Sequence, residues 1–541
     1  MKFLYFYLIS YSIIGYGFYL NKFLRINFSD FGSLGILGIT FISVISFVSS
    51  IFLKHGYYFN STVLLIGLIF FIINIKKSKR IKQEILNHFI IFFILCLFII
   101  LAKNHDDFPY YHFPYISIIT EFSHPVGLGQ LNNGFRSPSS IFFISSLFYL
   151  PFVDIYLFHI TPALIMGFAN LILLKKIFDQ NIFDQEKIIN FFSLSSLIFI
   201  NIFFYRLAEH GTDRSGMILI ILSIIYIISL MQNYQKIDIT NEMKFLIICI
   251  CFVSTIKPFF LLNFIFLILL LTNSILRKNF FSLFFSRTFY YCSLLILLIM
   301  FYTFINSACI IFPVTSTCFQ NLSWSIDINR INDVKIWFEL WSKGGANPNY
   351  VIEDSLNYIK NFNWFSNWLN EYFFNKVSDF LLGLLSLSLI LSLSFYKKNI
   401  SFLNKKNNLW ILFLAFLILF AEWFYNHPTL RYGGYHIIFA IFMLPICFYL
   451  SKIQLNFSFF AKRASILILI TIVIFVYRNI QRLESEYINY TYNPITNSDY
   501  KFTEKKEFYY RHNIQIKDNL EDYEKLNILG KKIPIILKKY R

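Results

Sequence analysis

Residues 215–231 read SGMILIILSIIYIISLM, a stretch without a single charged side chain. A helix crosses the hydrocarbon core of a bilayer with roughly 20 predominantly apolar residues. Because lipid offers no partner for backbone N–H and C=O groups, such a stretch is expected to cross as a helix, whose hydrogen bonds are internal. It therefore predicts a membrane-spanning helix that follows directly on the charged residues Asp213 and Arg214.

The same pattern recurs along the chain and decides the fold class. Apolar windows that predict spans lie at residues 3–21, 33–53, 60–75, 86–102, 155–174, 189–205, 215–231, 244–272, 289–307, 380–396, 409–425, 433–450 and 465–480. The window 244–272 is too long for one ordinary span, and Lys257-Pro258 interrupts it, so two short or broken helices are expected there. We predict an all-α polytopic membrane protein with about 13 or 14 transmembrane helices.

Composition agrees with this fold class. Of the 541 residues, 57% are hydrophobic and 14% are charged, whereas an average soluble domain carries roughly a quarter of its residues as charged groups. The net charge of +18 does not indicate nucleic-acid binding. Lys and Arg lie at the ends of the apolar windows, as they do in membrane proteins that follow the positive-inside rule.

The windows divide the chain into three regions. Residues 1–85 are predicted to form N-terminal transmembrane helices. Residues 86–481 are predicted to form a transmembrane core with two extracytoplasmic loops, at 103–140 and 308–379. Residues 482–541 form a small C-terminal tail of mixed composition, which we expect to pack against the loops because about 60 residues are marginally stable alone.

Clusters of Lys and Arg predict which ends of the helices are cytoplasmic. The clusters lie at residues 76–82, 175–176, 277–287, 397–406 and 452–463. The opposite, extracytoplasmic end then carries residues 103–140, 209–214, 308–379, 426–432 and the tail after Arg482. This orientation places Met1 at the extracytoplasmic end despite the basic Lys2. Most acidic and histidine residues of the loops fall at that end, so we expect the functional site there.

The cysteines fall into two groups. Cys309 and Cys318 flank a polar turn that contains proline and follows the window 289–307. In an extracytoplasmic loop such a pair can form a disulfide, although spacing alone does not establish the bridging geometry. The other cysteines are expected to be small buried hydrophobic residues within apolar windows: Cys96, Cys249, Cys251, Cys292 and Cys447.

The first long loop contains a dense group of ionisable residues in the stretch NHDDFPYYHFPY, residues 104–115. Asp106 and Asp107 follow closely on the window 86–102, with His105 and His112 near them. A carboxylate held at the bilayer surface can act as a general base toward a hydroxyl or bind a divalent cation. An ordinary solvated helix end is the alternative.

Further residues at the same end are candidate substrate-binding residues. Arg136 follows a glycine-rich stretch and has the planar guanidinium that suits phosphate. Lys257 is a cation inside an apolar window, where an unpaired charge is costly unless the side chain extends to the interface. Glu209, His210 and Asp213 lie in a charged turn, for which a simple interfacial loop is the alternative. The remaining candidates are Glu121 in the first long loop and Arg431 and Tyr432 in a short turn between two apolar windows.

The acidic pair after an early membrane helix, the element Tyr111-His112-Phe113-Pro114 and the many later spans resemble GT-C type glycosyltransferases, over roughly residues 86–541. The outline is also similar to that of a set of uncharacterised bacterial membrane proteins, and membership of that set implies no proven activity. The GT-C resemblance implies polyprenyl-phosphate-linked sugar donors and inversion at the anomeric carbon. It implies a catalytic carboxylate at Asp106 or Asp107 and an arginine near the lipid phosphate, a position that Arg431 matches.

On this basis we predict a membrane glycosyltransferase of the bacterial cytoplasmic membrane. It moves a sugar from a polyprenyl-phosphate donor to a lipid or glycan acceptor on the extracytoplasmic face. Asp106 or Asp107 takes the acceptor proton, while Arg136, Lys257 and Arg431 offset charge on the departing phosphate; a divalent metal is left open. Two other functions also remain open. A transporter or flippase of lipid-linked glycan is favoured by the predicted helix break, and a glycan polymerase would depend on the arginines and not on the acidic pair.

Overall fold

The computed structural model describes residues 1–75, 81–101, 107–232, 239–346, 352–396, 409–490, 493, 525–528 and 531–537. This part of the chain is built almost entirely from helices, which we number in chain order. They are α1 (Lys2–Phe23), α2 (Phe31–Phe52), α3 (Tyr57–Ile75), α4 (Ile81–Leu95), α5 (Leu97–Ile100), α6 (Phe113–Glu121), α7 (Ser140–Ser146), α8 (Thr161–Ile177), α9 (Gln180–Phe203), α10 (Leu207–Gln232), α11 (Ile239–Ser254), α12 (Ile265–Ile268), α13 (Ser274–Ser282), α14 (Arg287–Ser307), α15 (Ile328–Lys343), α16 (Ser355–Ile359), α17 (Phe365–Trp368), α18 (Ser378–Ser394), α19 (Trp410–Asn426), α20 (Gly434–Ser451) and α21 (Phe457–Tyr490).

Short turns of 3₁₀ and π geometry connect these helices. The 3₁₀ turns are Leu128–Gln130, Asn133–Phe135, Ile155–Leu157, Pro258–Phe264, Leu269–Thr272, Thr315–Thr317 and Leu430–Tyr432, and the π turns are Phe108–His112 and Leu369–Val377. Two strands, β1 (Lys525–Ile528) and β2 (Lys531–Pro534), form an antiparallel hairpin near the C-terminus.

The helices confirm the predicted all-α polytopic membrane class. Within the described residues, ten helices are long and apolar enough to cross a membrane, and a bent pair, Pro258–Thr272 with Ser274–Ser282, makes an eleventh. Three more predicted spans coincide with the shorter helices α8, α11 and α19, of 16 or 17 residues. The described helices that are long and apolar enough to cross a membrane thus number ten or eleven, against the 13 or 14 crossings predicted.

The predicted break at Lys257 is present. Helix α11 ends at Ser254, Lys257 is extended (φ −151°, ψ 141°), and Pro258 begins a 3₁₀ turn. Proline lacks the N–H that an α-helix would require at this point. Because a 3₁₀ helix rises about 2.0 Å per residue, the mostly 3₁₀ segment Pro258–Thr272 extends roughly 28 Å and can cross a bilayer in 15 residues. The chain then bends by 119° into α13.

Polar contacts show which helix ends lie on the same side of the molecule, and they agree with the sides that the basic clusters predict. At the basic end, the Lys244 ammonium donates to the carbonyl oxygens of Leu24 and Arg25, so the end of α1 lies beside the start of α11. At the opposite end, the Lys2 ammonium lies 3.3 Å from the centre of the Tyr156 ring. The N-terminus of α1 therefore lies with the loops that precede α8, and we call this the loop end of the molecule.

Helices α1, α2 and α3 pack with their backbones almost in contact. A Cβ atom on Gly38 of α2 would lie 1.8 Å from the Ile13 carbonyl oxygen, and one on Gly15 of α1 would lie 1.9 Å from that of Gly67. Small residues at such crossings are typical of membrane proteins, because van der Waals packing and not the hydrophobic effect holds helices together in lipid. Glycine is therefore required at Gly38 and Gly15 by close approach.

We expect Gly38→Val to force α1 and α2 apart and to lower the free energy of unfolding by about 1–3 kcal/mol or more, the usual cost of overpacking. Thermal unfolding of the purified protein in detergent measures this. Gly56→Val is the matched control, since no atom lies within 4 Å of the position that its Cβ would occupy. Equal losses in the two variants would contradict the packing argument.

A disulfide joins Cys309 and Cys318 in the turn after α14, as the sequence suggested. Backbone hydrogen bonds from Ile310 N–H to the Thr317 oxygen and from Phe319 N–H to the Ala308 oxygen close the same turn. The other five cysteines are free, and all but the half-buried Cys96 are buried. The turn is thus fixed covalently at the loop end.

Reduction of this disulfide is expected to lower the free energy of unfolding by about 2–3 kcal/mol, the chain-entropy cost of freeing a closed loop of roughly ten residues. The measurement is thermal unfolding with and without reductant. Cys309→Ser with Cys318→Ser should show the low value in both conditions. A wild-type protein that does not respond to reductant, yet alkylates at both positions, would contradict a stabilising role.

The C-terminal hairpin packs against the loop 103–140, as predicted for the tail. The Val126 N–H donates to the Pro534 oxygen at 3.0 Å, and the Ile536 N–H donates to the Val126 oxygen at 2.9 Å. Ile533 and Ile535 bury their side chains against Val126. Helix α21 continues to Tyr490, past the region boundary drawn at residue 482.

Candidate functional site

Four charged side chains from distant parts of the sequence meet at the loop end. The Arg431 guanidinium donates from Nε to the Asp213 carboxylate at 2.5 Å and from a terminal nitrogen to the Asp107 carboxylate. The Lys257 ammonium lies 4.0 Å from the other Asp213 oxygen. We call Asp107, Asp213, Lys257 and Arg431 the charge cluster.

Arg431 is positioned by a turn that three aromatic side chains hold. The indole N–H of Trp423 donates to the Thr429 oxygen at 2.8 Å, and that of Trp368 donates to the Pro428 oxygen at 2.7 Å. The Tyr372 hydroxyl accepts from the Leu430 N–H at 2.9 Å. Gly433 then takes φ +104° to lead the chain into α20, a conformation that glycine adopts without strain. The turn between α19 and α20 is therefore rigid.

Asp213 lies at the start of the apolar part of α10, just after a kink at Gly211. Its side chain is only 5% exposed. A buried carboxylate must be paired, because removing an ion from water costs several kcal/mol even after relaxation of its surroundings. Arg431, Lys257 and the Thr212 hydroxyl, at 3.2 Å, surround it.

Asp107 precedes the π turn Phe108–His112, whose second residue is Pro109. Its side chain is 20% exposed, so it is the more accessible carboxylate of the cluster. Among the sequence candidates in this stretch, His105 and Asp106 lie outside the described residues. The structure therefore brings one member of the acidic pair into contact with Arg431.

Lys257 reaches the cluster from the break after α11. Its ammonium donates to the Tyr111 hydroxyl at 3.3 Å and lies 5.5 Å from the centre of that ring. The extended backbone at Lys257 turns the side chain away from the helix axis and toward α10. Tyr111 thus joins the site; the sequence singled it out only as part of the Tyr111–Pro114 element and not as a partner of Lys257.

The electrostatics of the site favour ion pairing. Burial lowers the pKa of Arg431, but the carboxylates of Asp107 and Asp213 outweigh burial and raise it well above its ordinary value. Burial, followed by the Asp107 charge, raises the pKa of Tyr111, so its hydroxyl stays protonated and can donate a hydrogen bond. Burial also raises the pKa of Tyr432. Two carboxylates and two cations give the charge cluster no formal net charge.

The ring of Tyr432 packs among other aromatic side chains beside the charge cluster. Its ring centre lies 5.6 Å from that of Trp341 on α15, 5.8 Å from His427 and 6.0 Å from Phe259. Helix α15 belongs to the long loop 308–379, so this loop lies directly against the Arg431 turn. Sequence reasoning did not predict that contact.

The other sequence candidates lie apart from the charge cluster or cannot be placed. Arg136 is buried beside Gly129 and Phe312, and within the described residues it forms no hydrogen bond or ion pair with Asp107 or Asp213. His112 is buried between the rings of Tyr111 and Phe142, and Glu121 is exposed at the end of α6. Glu209 and His210 lie in the first turn of α10, but their side chains fall outside the described part of the structure.

A buried polar network behind the site fixes the loop 103–140 and was not predicted. The Tyr115 hydroxyl bonds to His124 Nε2 at 2.8 Å and accepts from Asn306 of α14 at 3.1 Å. Burial lowers the pKa of His124 to about 3, so the ring is neutral at physiological pH. The backbone N–H of His124 donates to the backbone oxygen of Ser50 at the end of α2. The network therefore ties this loop to α2 and α14 without adding charge.

The described residues contain no group of three or more His, Cys, Asp or Glu side chains that could hold a metal ion. Within the charge cluster the oxygen donors are the carboxylates of Asp107 and Asp213, and both already bond to Arg431. A divalent cation at this place would have to displace the guanidinium. The chemistry that the site offers directly is therefore anion binding by Lys257 and Arg431 next to a carboxylate.

A double-mutant cycle on Arg431→Met and Asp213→Asn tests the ion pair. Each single change leaves a buried charge without its partner, and we expect a loss of about 3–5 kcal/mol for Arg431→Met. The coupling energy should be about 1–3 kcal/mol. Arg463→Met, at an exposed position of α21, should change stability by less than about 0.5 kcal/mol. Additive losses in thermal unfolding would show that the pair is not coupled.

Comparison with known proteins gives a family but no activity. No curated protein and no solved structure matches the chain. Residues 1–439 of the 541 match a family described as a domain of unknown function, DUF8201, and this match extends from α1 into α20. The chain therefore belongs to the DUF8201 family.

Proposed function

We propose that this protein is a membrane glycosyltransferase that moves a sugar from a polyprenyl-phosphate donor to a hydroxyl of a lipid or glycan acceptor. The observation that carries the proposal is the charge cluster, in which a partly exposed carboxylate, Asp107, bonds to Arg431, and Arg431 also bonds to Asp213 next to the second cation, Lys257. Such a site provides a base and an anion-binding group within one small volume. The GT-C resemblance supports the choice of substrate.

The chemistry balances without a cofactor. Asp107 takes the proton of the acceptor hydroxyl as its oxygen forms a new bond to the anomeric carbon. The bond from that carbon to the phosphate oxygen breaks, and the phosphate departs with the electron pair. Arg431 and Lys257 then offset the charge that develops on the phosphate, an electrostatic role that preorganised cations perform best.

The ion pair explains how the base becomes active only with donor present. In the free protein Arg431 bonds to Asp107, and a neighbouring cation favours the ionised, weakly basic form of a carboxylate. A donor phosphate competes for the same guanidinium. As Arg431 turns to the phosphate, Asp107 loses that stabilisation and its proton affinity rises. Asp213 keeps Arg431 in place throughout, because it binds the Nε side of the fork.

The location of the site supports transfer on the extracytoplasmic face. The disulfide between Cys309 and Cys318 lies at the loop end, and disulfides persist in oxidising compartments. The basic clusters lie at the other end, which the positive-inside rule assigns to the cytoplasm. These two arguments are independent and agree, and they fit a protein of the bacterial cytoplasmic membrane.

Replacing the acidic pair tests the proposal. Asp107→Asn should lower transfer by roughly 10²–10⁴-fold, the usual contribution of a general base, and Asp106→Asn with the double variant completes the series. The assay counts labelled sugar moved from synthetic polyprenyl-phosphate-linked sugars to an envelope lipid and glycan extract, with purified protein in liposomes. Glu353→Gln, an exposed carboxylate of the loop 308–379, is the control. Retained turnover in both single variants and the double variant would end the assignment.

The broken span Pro258–Thr272 favours a second candidate, a transporter or flippase of lipid-linked glycan. Flux of the labelled lipid across proteoliposomes without a covalent product would support that function. The same variants address a glycan polymerase, for which Arg431→Met would abolish product and Asp107→Asn would not. The partly exposed position of Asp107 next to Arg431 favours the transferase over both.

A further inference from the structure

Three aromatic rings form a row that leads from the molecular surface to the charge cluster. The ring centres of Trp337 and Trp341, one turn apart on α15, lie 6.4 Å from each other, with their planes inclined by 27°. The Trp341 ring centre lies 5.6 Å from that of Tyr432, which directly follows Arg431 in the 3₁₀ turn Leu430–Tyr432. We call Trp337, Trp341 and Tyr432 the aromatic row. Its inner end therefore adjoins a cation of the charge cluster.

The exposed fraction of the side chains falls along the aromatic row. Trp337 is 51% exposed, whereas Trp341 and Tyr432 are half-buried. The side chains of Arg431 and Asp107, at the inner end, are 30% and 20% exposed. Every residue on this path thus keeps accessible surface, as binding of a ligand that extends from the surface to the charge cluster requires.

Helix α15 is held firmly beside the turn between α19 and α20. Lys343, the last residue of α15, has a fully buried side chain that donates to the Ile359 oxygen at 2.9 Å and lies 5.2 Å from the centre of the Tyr425 ring. The Ser342 hydroxyl lies 3.3 Å from His427 Nδ1. Because Tyr425 and His427 lie at the end of α19, these contacts fix the aromatic row before any ligand arrives. Such preorganisation lowers the entropic cost of binding.

The surface around Trp337 carries charged groups. Asp333 lies four residues before Trp337 and Arg330 lies seven before it, so all three share one face of α15. Both charged residues are exposed, as is Lys335. Such a face contacts water, so a hydrocarbon chain is a poor ligand for it. Anchoring in lipid headgroups is the other common role of an exposed tryptophan in a membrane protein.

A sugar chain matches this combination of groups. The C–H bonds on the face of a sugar ring carry partial positive charge, so they stack on the negative face of an indole or phenol ring. The hydroxyl groups lie around the edge, where a carboxylate such as that of Asp333 can accept a hydrogen bond. Because the aromatic rings follow each other at 6.4 and 5.6 Å, successive rings can contact successive units of one sugar chain.

We infer that the aromatic row binds the glycan part of the substrate, with sugar units stacked on Trp337 and Trp341 and the unit nearest Tyr432 held at the charge cluster. The inference rests on the proposed function, because it takes the charge cluster as the place of sugar transfer. It narrows the substrate to an oligosaccharide chain. A single sugar at the charge cluster reaches the inner ring alone, whereas the two tryptophans gain contacts only from further units.

Binding of soluble sugars to the full protein in lipid nanodiscs tests the inference without a transfer step. The probes are short oligosaccharides and monosaccharides, both released from cell-envelope glycan by partial acid hydrolysis and labelled for fluorescence anisotropy. We expect oligosaccharides to bind more tightly than monosaccharides. Trp337→Ala should weaken oligosaccharide binding about tenfold, since it removes one stacking contact, and should leave monosaccharide binding unchanged.

Two further variants separate stacking from anchoring in the membrane. Trp337→Phe keeps an aromatic face and should weaken oligosaccharide binding less than Trp337→Ala. Trp337→Leu keeps an apolar side chain without a ring and should weaken it as much as Trp337→Ala, with thermal unfolding unchanged. Trp410→Ala, which removes a tryptophan that is 65% exposed at the start of α19, is the matched control and should bind as the wild type does.

The outcomes distinguish this inference from the proposed function. Asp107→Asn should still bind oligosaccharides although it no longer transfers sugar. Weaker binding in the Trp337 variants together with normal transfer by Asp107→Asn would overturn the transferase and leave the glycan site. Unchanged binding in Trp337→Ala, or a wild type that does not prefer oligosaccharides, would overturn the glycan site whatever Asp107→Asn does. A lower melting temperature of Trp337→Ala with unchanged binding would identify an anchor.

Discussion

The arrangement of the loop end depends on one interaction, the Arg431 guanidinium held between the carboxylates of Asp107 and Asp213. All three groups lie near the membrane boundary, where an unpaired charge costs several kcal/mol. Arg431 joins three stretches of chain that the sequence keeps far apart, since it lies 324 residues from Asp107 and 218 residues from Asp213. The two ion pairs of Arg431 therefore fix the positions of the first loop, α10 and the turn before α20 relative to each other.

That constraint explains the irregular backbone around the cluster. The kink at Gly211, the helix break at Lys257 and the left-handed Gly433 each interrupt a helix next to one of the charged residues. A regular helix would keep its side chains on the surface of a cylinder and could not converge four charges on one point. Irregular backbone at membrane depth is tolerated where protein surrounds it, and here aromatic side chains from the loop 308–379 supply that cover.

Much of the fold could be predicted from the sequence, because a membrane span is a local property of roughly 20 consecutive residues. Each charged residue of the cluster could also be selected from the sequence on its own, because Asp107, Asp213 and Arg431 lie beside apolar windows and Lys257 lies inside one. The ion pairs between these residues could not be predicted from the sequence, since they depend on the packing of α10 against α20. For the same reason the sequence grouped Arg136 with Lys257 and Arg431, whereas the structure gives it different neighbours. Trp341 carries no local pattern that distinguishes it from the other tryptophans of its loop, and the element that contains Tyr111 does not indicate that its hydroxyl contacts Lys257.

In the charge cluster, Asp107 and Asp213 act as internal counter-ions to Arg431. Under the proposed transfer, an incoming phosphate must therefore compete with carboxylates that are already bound. Arg136 differs, because in the described part of the chain no carboxylate forms an ion pair with it. Since the carboxylate displaced from Arg431 would also be the proposed base, the proposal makes binding of the donor phosphate and activation of the base a single event.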